Sequence, residues 1–245
     1  MIVVEELHKA FGATRAVDGV SFRAADGQIT ALLGANGAGK TTTLRMLYTL
    51  MRPDSGRILV DGVDAQQDAL AVRRLLGVLP DARGLYRRLT ARENIEYYAA
   101  LHGLSAGQTR ERTAQLLQTL SMQDIADRRT EGFSQGERLK TALARSLVHD
   151  PRNVLLDEPT NGLDVMSTRN LREFLRRLRD DGRCVLFSTH IMQEVAALCD
   201  HIVIIARGRV VAEGTPDALR ERAGEASLEE AFMKLIGSAA LEALA

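Results

Sequence analysis

Apolar positions along the chain follow two periods. Short apolar runs predict strands at 2–4, 20–22, 29–33, 57–60 and 75–79, separated by turn signals at Gly12, Gly19, Asp26-Gly27 and Asp54-Ser-Gly56. Leu44, Leu47 and Leu50 predict one helix among these strands, ending near Met51 ahead of Pro53. From Thr90 to Asp150 the pattern becomes helical. Thr90 and Glu93 form a T-x-x-E capping box before Ile95, Tyr98 and Leu101, and Gly103 closes that helix. Ser105 opens a second helix carrying Leu116, Leu117 and Leu120, and a third runs from Ser134 toward Pro151. Strand and helix then alternate. Strands are expected at 154–157 and 183–188, a helix through Leu171, Phe174, Leu175 and Leu178, and a short helix at 191–198. A hairpin of 201–206 and 209–213 turns at Arg207-Gly208, and a last helix presents Leu228, Phe232 and Leu235 on one face. Together these predict an α/β protein with a helical insert between strands and no internal repeat.

The strand at 29–33 runs into Gly34-Ala-Asn-Gly-Ala-Gly-Lys40-Thr41-Thr42, which fits the phosphate-binding loop G-x-x-x-x-G-K-[ST] in its strand-to-helix context. Gly34, Gly37 and Gly39 let backbone N–H groups turn inward, and Ala35, Asn36 and Ala38 complete the loop. The following helix adds its positive end. Lys40 supplies a cation for phosphates, Thr42 continues the first turn, and the Thr41 hydroxyl is a ligand for Mg²⁺. Nucleotide binding follows from this stretch; hydrolysis needs further groups. Val154-Leu-Leu-Asp157-Glu158 delivers two carboxylates at the end of a buried strand, where α/β sheets bind ligands. Asp157 is placed to hold Mg²⁺ through water and Glu158 to act as general base.

Composition narrows the class. The chain has 245 residues, 45% of them hydrophobic, enough for one large domain or two small ones. With 32 basic and 32 acidic residues the net charge is zero, which does not call for a nucleic-acid partner. Cys184 and Cys199 lack metal spacing and sit in apolar segments, as expected of reduced thiols in a cytosolic protein. The start, Met1-Ile-Val-Val, reads as a strand rather than a signal peptide. No apolar run approaches the roughly 20 residues that span a bilayer. Any membrane crossing is expected from a separate chain.

Phe133-Ser134-Gln135-Gly136-Glu137 opens the third insert helix with an S-x-x-E capping box, so a helix N-terminus faces outward at Ser134. Pro159-Thr-Asn-Gly-Leu-Asp164 follows the two carboxylates, and Ser188-Thr-His190 ends the next strand. With the phosphate loop, this ordered set resembles the ATP-binding cassette (ABC) ATPases over residues 1 to about 236. The family signature is Leu-Ser-Gly-Gly-Gln; Phe133, Gln135 and Glu137 depart from it, and Ser134 and Gly136 are kept. The resemblance implies a P-loop NTPase with a RecA-like core, an antiparallel β subdomain, a helical subdomain inserted at about 86–150, and a tail at 237–245. It implies ATP and Mg²⁺, with His190 touching the γ-phosphate and attacking water. It also implies a homodimer in which Ser134 and Gly136 cap ATP held by the other copy. Phe11 matches the aromatic that stacks on adenine, a core phenylalanine being the alternative. Where the family has glutamine after Leu79-Pro80, this chain has Asp81, a hard oxygen ligand that is shorter and negative. Turnover is therefore expected to persist with altered Mg²⁺ dependence.

Residues 79–95, Asp164-Val-Met166, Ile191-Met-Gln-Glu-Val and Leu228-Glu-Glu-Ala-Phe232 resemble the ATPase subunits of sodium-export ABC systems. This implies an exporter, peripheral on the cytoplasmic face of the inner membrane through an integral membrane subunit, without nucleic acid. Sodium rests on the resemblance alone, because drug, lipid and polysaccharide exporters use nearly identical ATPases. A soluble ABC ATPase acting on ribosomes or DNA is a further reading, but the chain has neither a second cassette nor a long coiled coil. A P-loop kinase would leave the Ser134 stretch and His190 without a purpose.

Overall fold

The computed structural model describes residues 1–81 and 84–242, with side chains as far as residue 237. The predicted tail at 237–245 and the loop at 81–89 therefore fall partly outside the described residues. The chain starts with an antiparallel hairpin, β1 (Ile2–Phe11) and β2 (Thr14–Ala24), followed by β3 (Ile29–Leu33) and α1 (Lys40–Leu47). Next come β4 (Ser55–Val60), β5 (Val63–Asp64), α2 (Ala69–Leu75) and β6 (Leu76–Leu79). Three helices follow, α3 (Ala91–Leu101), α4 (Ala106–Thr119) and α5 (Gln135–Leu147). The rest is β7 (Asn153–Asp157), α6 (Val165–Asp180), β8 (Cys184–Thr189), α7 (Met192–Leu198), β9 (His201–Ala206), β10 (Arg209–Gly214), α8 (Pro216–Ala223) and α9 (Leu228–Glu242).

The strands form two sheets. One is antiparallel, in the order β2-β1-β4-β5. The other has the order β10-β9-β3-β8-β7-β6 and is parallel except for the β9–β10 edge. Alternation along its strands divides the core. Ile29, Ala31, Leu33, Val154, Leu156, Val185, Phe187, Ile202 and Ile204 face one apolar cluster, shared with α3 to α7. Leu32, Leu155, Leu186, Val203 and Ile205 face the other, shared with α1 and the antiparallel sheet. Both faces are covered, which is why β3, β7 and β8 are buried at every position and read as continuous apolar runs.

Three boundaries differ from the pattern, and two helices are added to it. The β1–β2 hairpin is longer than predicted because bulges near Leu7 and Lys9 shift the register and break the period of two. Helix α1 stops at Leu47, and turn bonds carry the chain through 48–51. Leu75 ends α2 rather than starting a strand. Helices α2 and α8 were not predicted: α2 buries only Val72, so it has no apolar stripe. Helix α8 did carry a readable signal, a Thr215 cap, Pro216 in the first turn and Gly224 in the left-handed conformation past its end.

Candidate active site

The loop between β3 and α1 is built for close approach. A Cβ on Gly34 would lie 2.3 Å from the Ile205 carbonyl oxygen, and one on Gly39 would lie 2.4 Å from that of Ala16. Gly39 also has φ +106°, so only glycine fits without strain. The Gly208 amide bonds the Ala38 carbonyl at 2.9 Å, fixing the β9–β10 turn against the loop. The result is a cleft of about 310 Å³, lined by Asn36, Gly37, Gly39, Lys40, Thr41 and Thr42. Ala16, Asp81, Glu158, Asn161 and His190 line the remainder.

The polar groups in the cleft hold one another. Lys40 Nζ donates to the carbonyls of Gly34 at 2.8 Å and Ala35 at 3.2 Å, and lies 3.3 Å from Glu158 Oε1. Glu158 Oε2 lies 2.9 Å from His190 Nδ1. Asp157 points the other way: its Oδ1 accepts from Ser188 Oγ at 2.6 Å and Thr41 Oγ1 at 3.2 Å. The two carboxylates diverge because Glu158 is left-handed, with φ +46°. That conformation costs a non-glycine residue roughly 1–2 kcal/mol. The Glu158 amide, donating to Ser188 Oγ at 3.0 Å, helps hold it. Burial pushes the Asp157 carboxyl above its ordinary range; the Ser188 and Thr41 hydroxyls pull it back, and the Asp81 and Glu158 charges add to the rise. A desolvated carboxylate beside a threonine hydroxyl is a hard-oxygen pair suited to Mg²⁺. Among the described residues no three His, Cys, Asp or Glu side chains converge to hold a metal by themselves, so such an ion would need nucleotide oxygens as well.

Of the residues read from the sequence, the structure brings Asn36, Gly37, Gly39, Lys40, Thr41, Thr42, Asp81, Glu158 and His190 to one cleft, with Asp157 just behind. Gly34, Ala35 and Ala38 shape the loop without lining it. Phe11 stands half exposed at the β1–β2 tip, its ring 5.9 Å from Lys9 Nζ, and does not line the cleft. Ser134 and Gly136 lie elsewhere. Ser134 caps α5 through a reciprocal box with Glu137, and Gly136 packs so tightly on α6 that a Cβ would come 2.9 Å from Ser167 Oγ. The Glu137 carboxylate at this helix tip is paired, by the Ser134 amide at 2.7 Å and Arg128 Nη1 at 3.0 Å.

Sequence reasoning missed four supports. Ser188 joins Asp157 to Glu158, and Ala16 contributes only backbone, for which no sequence signal exists. Asn94, fully buried, bonds the amide and carbonyl of Tyr86 and the carbonyls of Leu89 and Thr90; Arg145 Nη1 bonds the Gly84 carbonyl at 2.8 Å. They fix the loop at 84–90.

A strand, a glycine loop and a helix N-terminus faced by an aspartate and a glutamate define a P-loop nucleotide hydrolase. A family model described as "ABC transporter" matches residues 17–161. The chain is 43% identical over 220 residues to the ABC transporter ATP-binding protein NatA of Bacillus subtilis (strain 168), covering 89% of each. It is 40% identical over 218 residues to the Nod factor export ATP-binding protein I of Paraburkholderia xenovorans (strain LB400), covering 89% of this chain and 72% of that one. Among solved structures, one described as the ATP binding subunit of an ABC transporter superposes with TM-score 0.88 at 31% identity, covering 96% and 99% of the two chains. A dimeric post-hydrolysis form of the cassette MJ0796 with ADP and Pi shares the fold, with TM-score 0.80 at 24% identity over 88% and 98%. The chain belongs to the ABC transporter family and is an ATP-binding, ATP-hydrolysing cassette. Among the described residues no helix is long and apolar enough to cross a membrane.

Proposed function

We propose that this chain powers an exporter as its ATPase subunit, docked on the cytoplasmic face of an integral membrane subunit, with sodium ion as cargo. The relative whose name includes Nod factor export supports the exporter class. Sodium is supported by the segments at 79–95, 164–166 and 191–195, which resemble sodium-export ATPases; a drug, lipid or polysaccharide exporter is the alternative. Residues 1–236 act as one ATP-binding domain, with the helical part at about 86–150 and the loop after Asp81 passing motion to the membrane subunit.

The observation that carries the mechanism is Glu158 held between Lys40 and His190. The loop amides and Lys40 bind the triphosphate; as it takes Lys40, Glu158 is left to His190, where it accepts a proton from water attacking the γ-phosphate. Thr41, Asp157 and Asp81 would hold Mg²⁺, which supplies charge neutralisation at the phosphate oxygens. Phe11 supports the adenine. Two copies assemble head to tail, so that the Ser134 hydroxyl and Gly136 amide of one meet ATP on the other. The Ser134 oxygen already accepts from the Glu137 amide at 3.2 Å, which leaves its hydroxyl hydrogen to donate to a phosphate.

Glu158→Gln is expected to lower turnover about 100-fold or more and to elute as an ATP-bound dimer. A variant that stays monomeric with ATP while wild type dimerises would overturn the dimer mechanism. ATP-dependent ²²Na⁺ flux in vesicles carrying both subunits tests the cargo, and flux indifferent to ATP would rule out sodium.

A further inference from the structure

The loops that carry Glu158 and His190 leave adjacent parallel strands, β7 and β8. Beneath both lies Glu194, in the first turn of α7, with only 4% of its surface exposed and no part in lining the cleft. A carboxylate buried this far is destabilising unless hydroxyls or cations meet it. Thr189 Oγ1 donates to Glu194 Oε2 at 3.3 Å and accepts the Ile191 amide at 3.0 Å, so the residues on either side of His190 are folded onto one hydroxyl. From the other loop Thr160, two residues past Glu158, presents its hydroxyl to the same carboxyl. That buried oxygen closes no hydrogen bond among the described residues, so the Glu194 carboxyl faces it without a formed bond. Arg172 on α6 adds positive charge from a third direction. Burial pushes the Glu194 carboxyl above its ordinary range, while the two hydroxyls and Arg172 pull it back.

We propose that Glu194 is a positioning residue for hydrolysis: it holds Thr189 by a hydrogen bond, faces Thr160, and thereby sets the spacing of Glu158 and His190 across the attacking water. Its effect passes through the 2.9 Å contact between those two side chains. It does not pass through the phosphate loop, which Glu194 does not reach. The inference rests on the reading of Glu158 and His190 as the pair that handles the water.

The test compares ATPase kinetics of Glu194→Ala, Glu194→Gln, His190→Ala and the Glu194→Ala/His190→Ala double variant with wild type, at saturating nucleotide and on thermally intact protein. Misplacing reacting groups by fractions of an ångström lowers turnover by about 10- to 100-fold. Glu194→Ala is expected to show that fall in kcat, with KM and the affinity for a fluorescent ATP analogue within about twofold of wild type, because the nucleotide loop is untouched. Glu194→Gln keeps one acceptor for Thr189 and one donor for Thr160, and is expected to recover most of the loss. The double variant is expected to be no slower than His190→Ala alone, since the two residues act on one geometry. A wild-type kcat in Glu194→Ala, an equal loss in Glu194→Gln, or losses that multiply in the double variant would overturn the proposal and leave the reading of the pair intact. Wild-type turnover in both His190→Ala and Glu158→Gln would overturn that reading, and this inference with it.

Discussion

Acid is expected to loosen the attachment of the inserted helices to the parallel sheet, through one histidine. His149, just past α5, lies flat on His102 at the end of α3, ring centroids 3.6 Å apart and planes 3° from parallel. His149 Nε2 meets the Leu76 carbonyl at 3.0 Å. A carbonyl only accepts, so Nε2 carries the proton and Nδ1 is bare. Nδ1 is buried without a partner. A proton there would have no acceptor and would set a cation against His102, whose own pKa is lowered by burial and by Arg74. Burial, then the His102 neighbour and Arg112, push His149 from 6.5 down to about 4, against the Leu76 bond and Asp150. A depressed histidine is neutral in the native state while the unfolded chain takes up its proton. The unfolded state therefore binds more protons below about 6.5, and stability falls as the pH drops toward about 4. At about 1.4 kcal/mol for each tenfold change in proton activity, the whole span comes to about 3 kcal/mol. Typical domains have roughly 5–15 kcal/mol in hand, so the effect is readable. The assay is urea unfolding of wild type and His149→Phe between pH 7.5 and 4. Phenylalanine keeps a flat ring on His102 and cannot titrate; its loss of the Leu76 bond is a constant offset. The gap between the two curves is expected to close by about 3 kcal/mol across that range. Parallel curves down to pH 4 would refute the reasoning.

Two further outcomes follow from the geometry. Ser188→Ala leaves the buried Asp157 carboxylate and the Glu158 amide each one partner short; it is expected to cost about 1–3 kcal/mol in thermal unfolding and to weaken Mn²⁺ binding with ATP, and unchanged metal affinity would contradict the role given to Asp157. Gly136→Ala drives a methyl to 2.9 Å from Ser167 Oγ; it is expected to cost about 1–3 kcal/mol, and Ser167→Gly in the same chain to recover much of that, whereas strictly additive losses would show that the α5–α6 contact is not the cause.

The parallel sheet was legible because its strands are buried on both faces, so their apolar runs survive as runs between turn residues. The capping boxes at Thr90 and Ser134 were legible for a local reason: their whole geometry lies within four residues. The cleft was legible for Lys40, Thr41, Asp157 and Glu158, whose spacing and strand-end context carry the chemistry. What escaped was non-local. Asn94 and Arg145 read as ordinary surface residues of two helices, and only the folded chain shows them sealing the loop at 84–90. Glu194 sits in a sequence that reads as amphipathic helix, yet tertiary packing puts its carboxyl inside. Bulges hid most of the β1–β2 hairpin because each one moves the next apolar residue to the wrong face.

The balance of charge in the cleft shows why the phosphate loop alone does not explain the site. Around it stand Asp81, Asp157 and Glu158, with Lys40 and His190 on the other side. Lys40 is already engaged by two carbonyls and Glu158, so its charge is shared before any phosphate arrives. A triphosphate entering without a cation meets more acid than base, and only the glycine-loop amides and the dipole of α1 offset the repulsion. Divalent metal and nucleotide thus have a common electrostatic reason to enter together. Asp81 sharpens that reason, because it adds a negative charge that also raises the Asp157 pKa. The same acidity makes the pairing of Glu137 with Arg128 consequential. In the head-to-tail dimer proposed above, a second copy bringing an unpaired carboxylate to the phosphates would add to the repulsion, whereas this helix tip would arrive with that charge already neutralised.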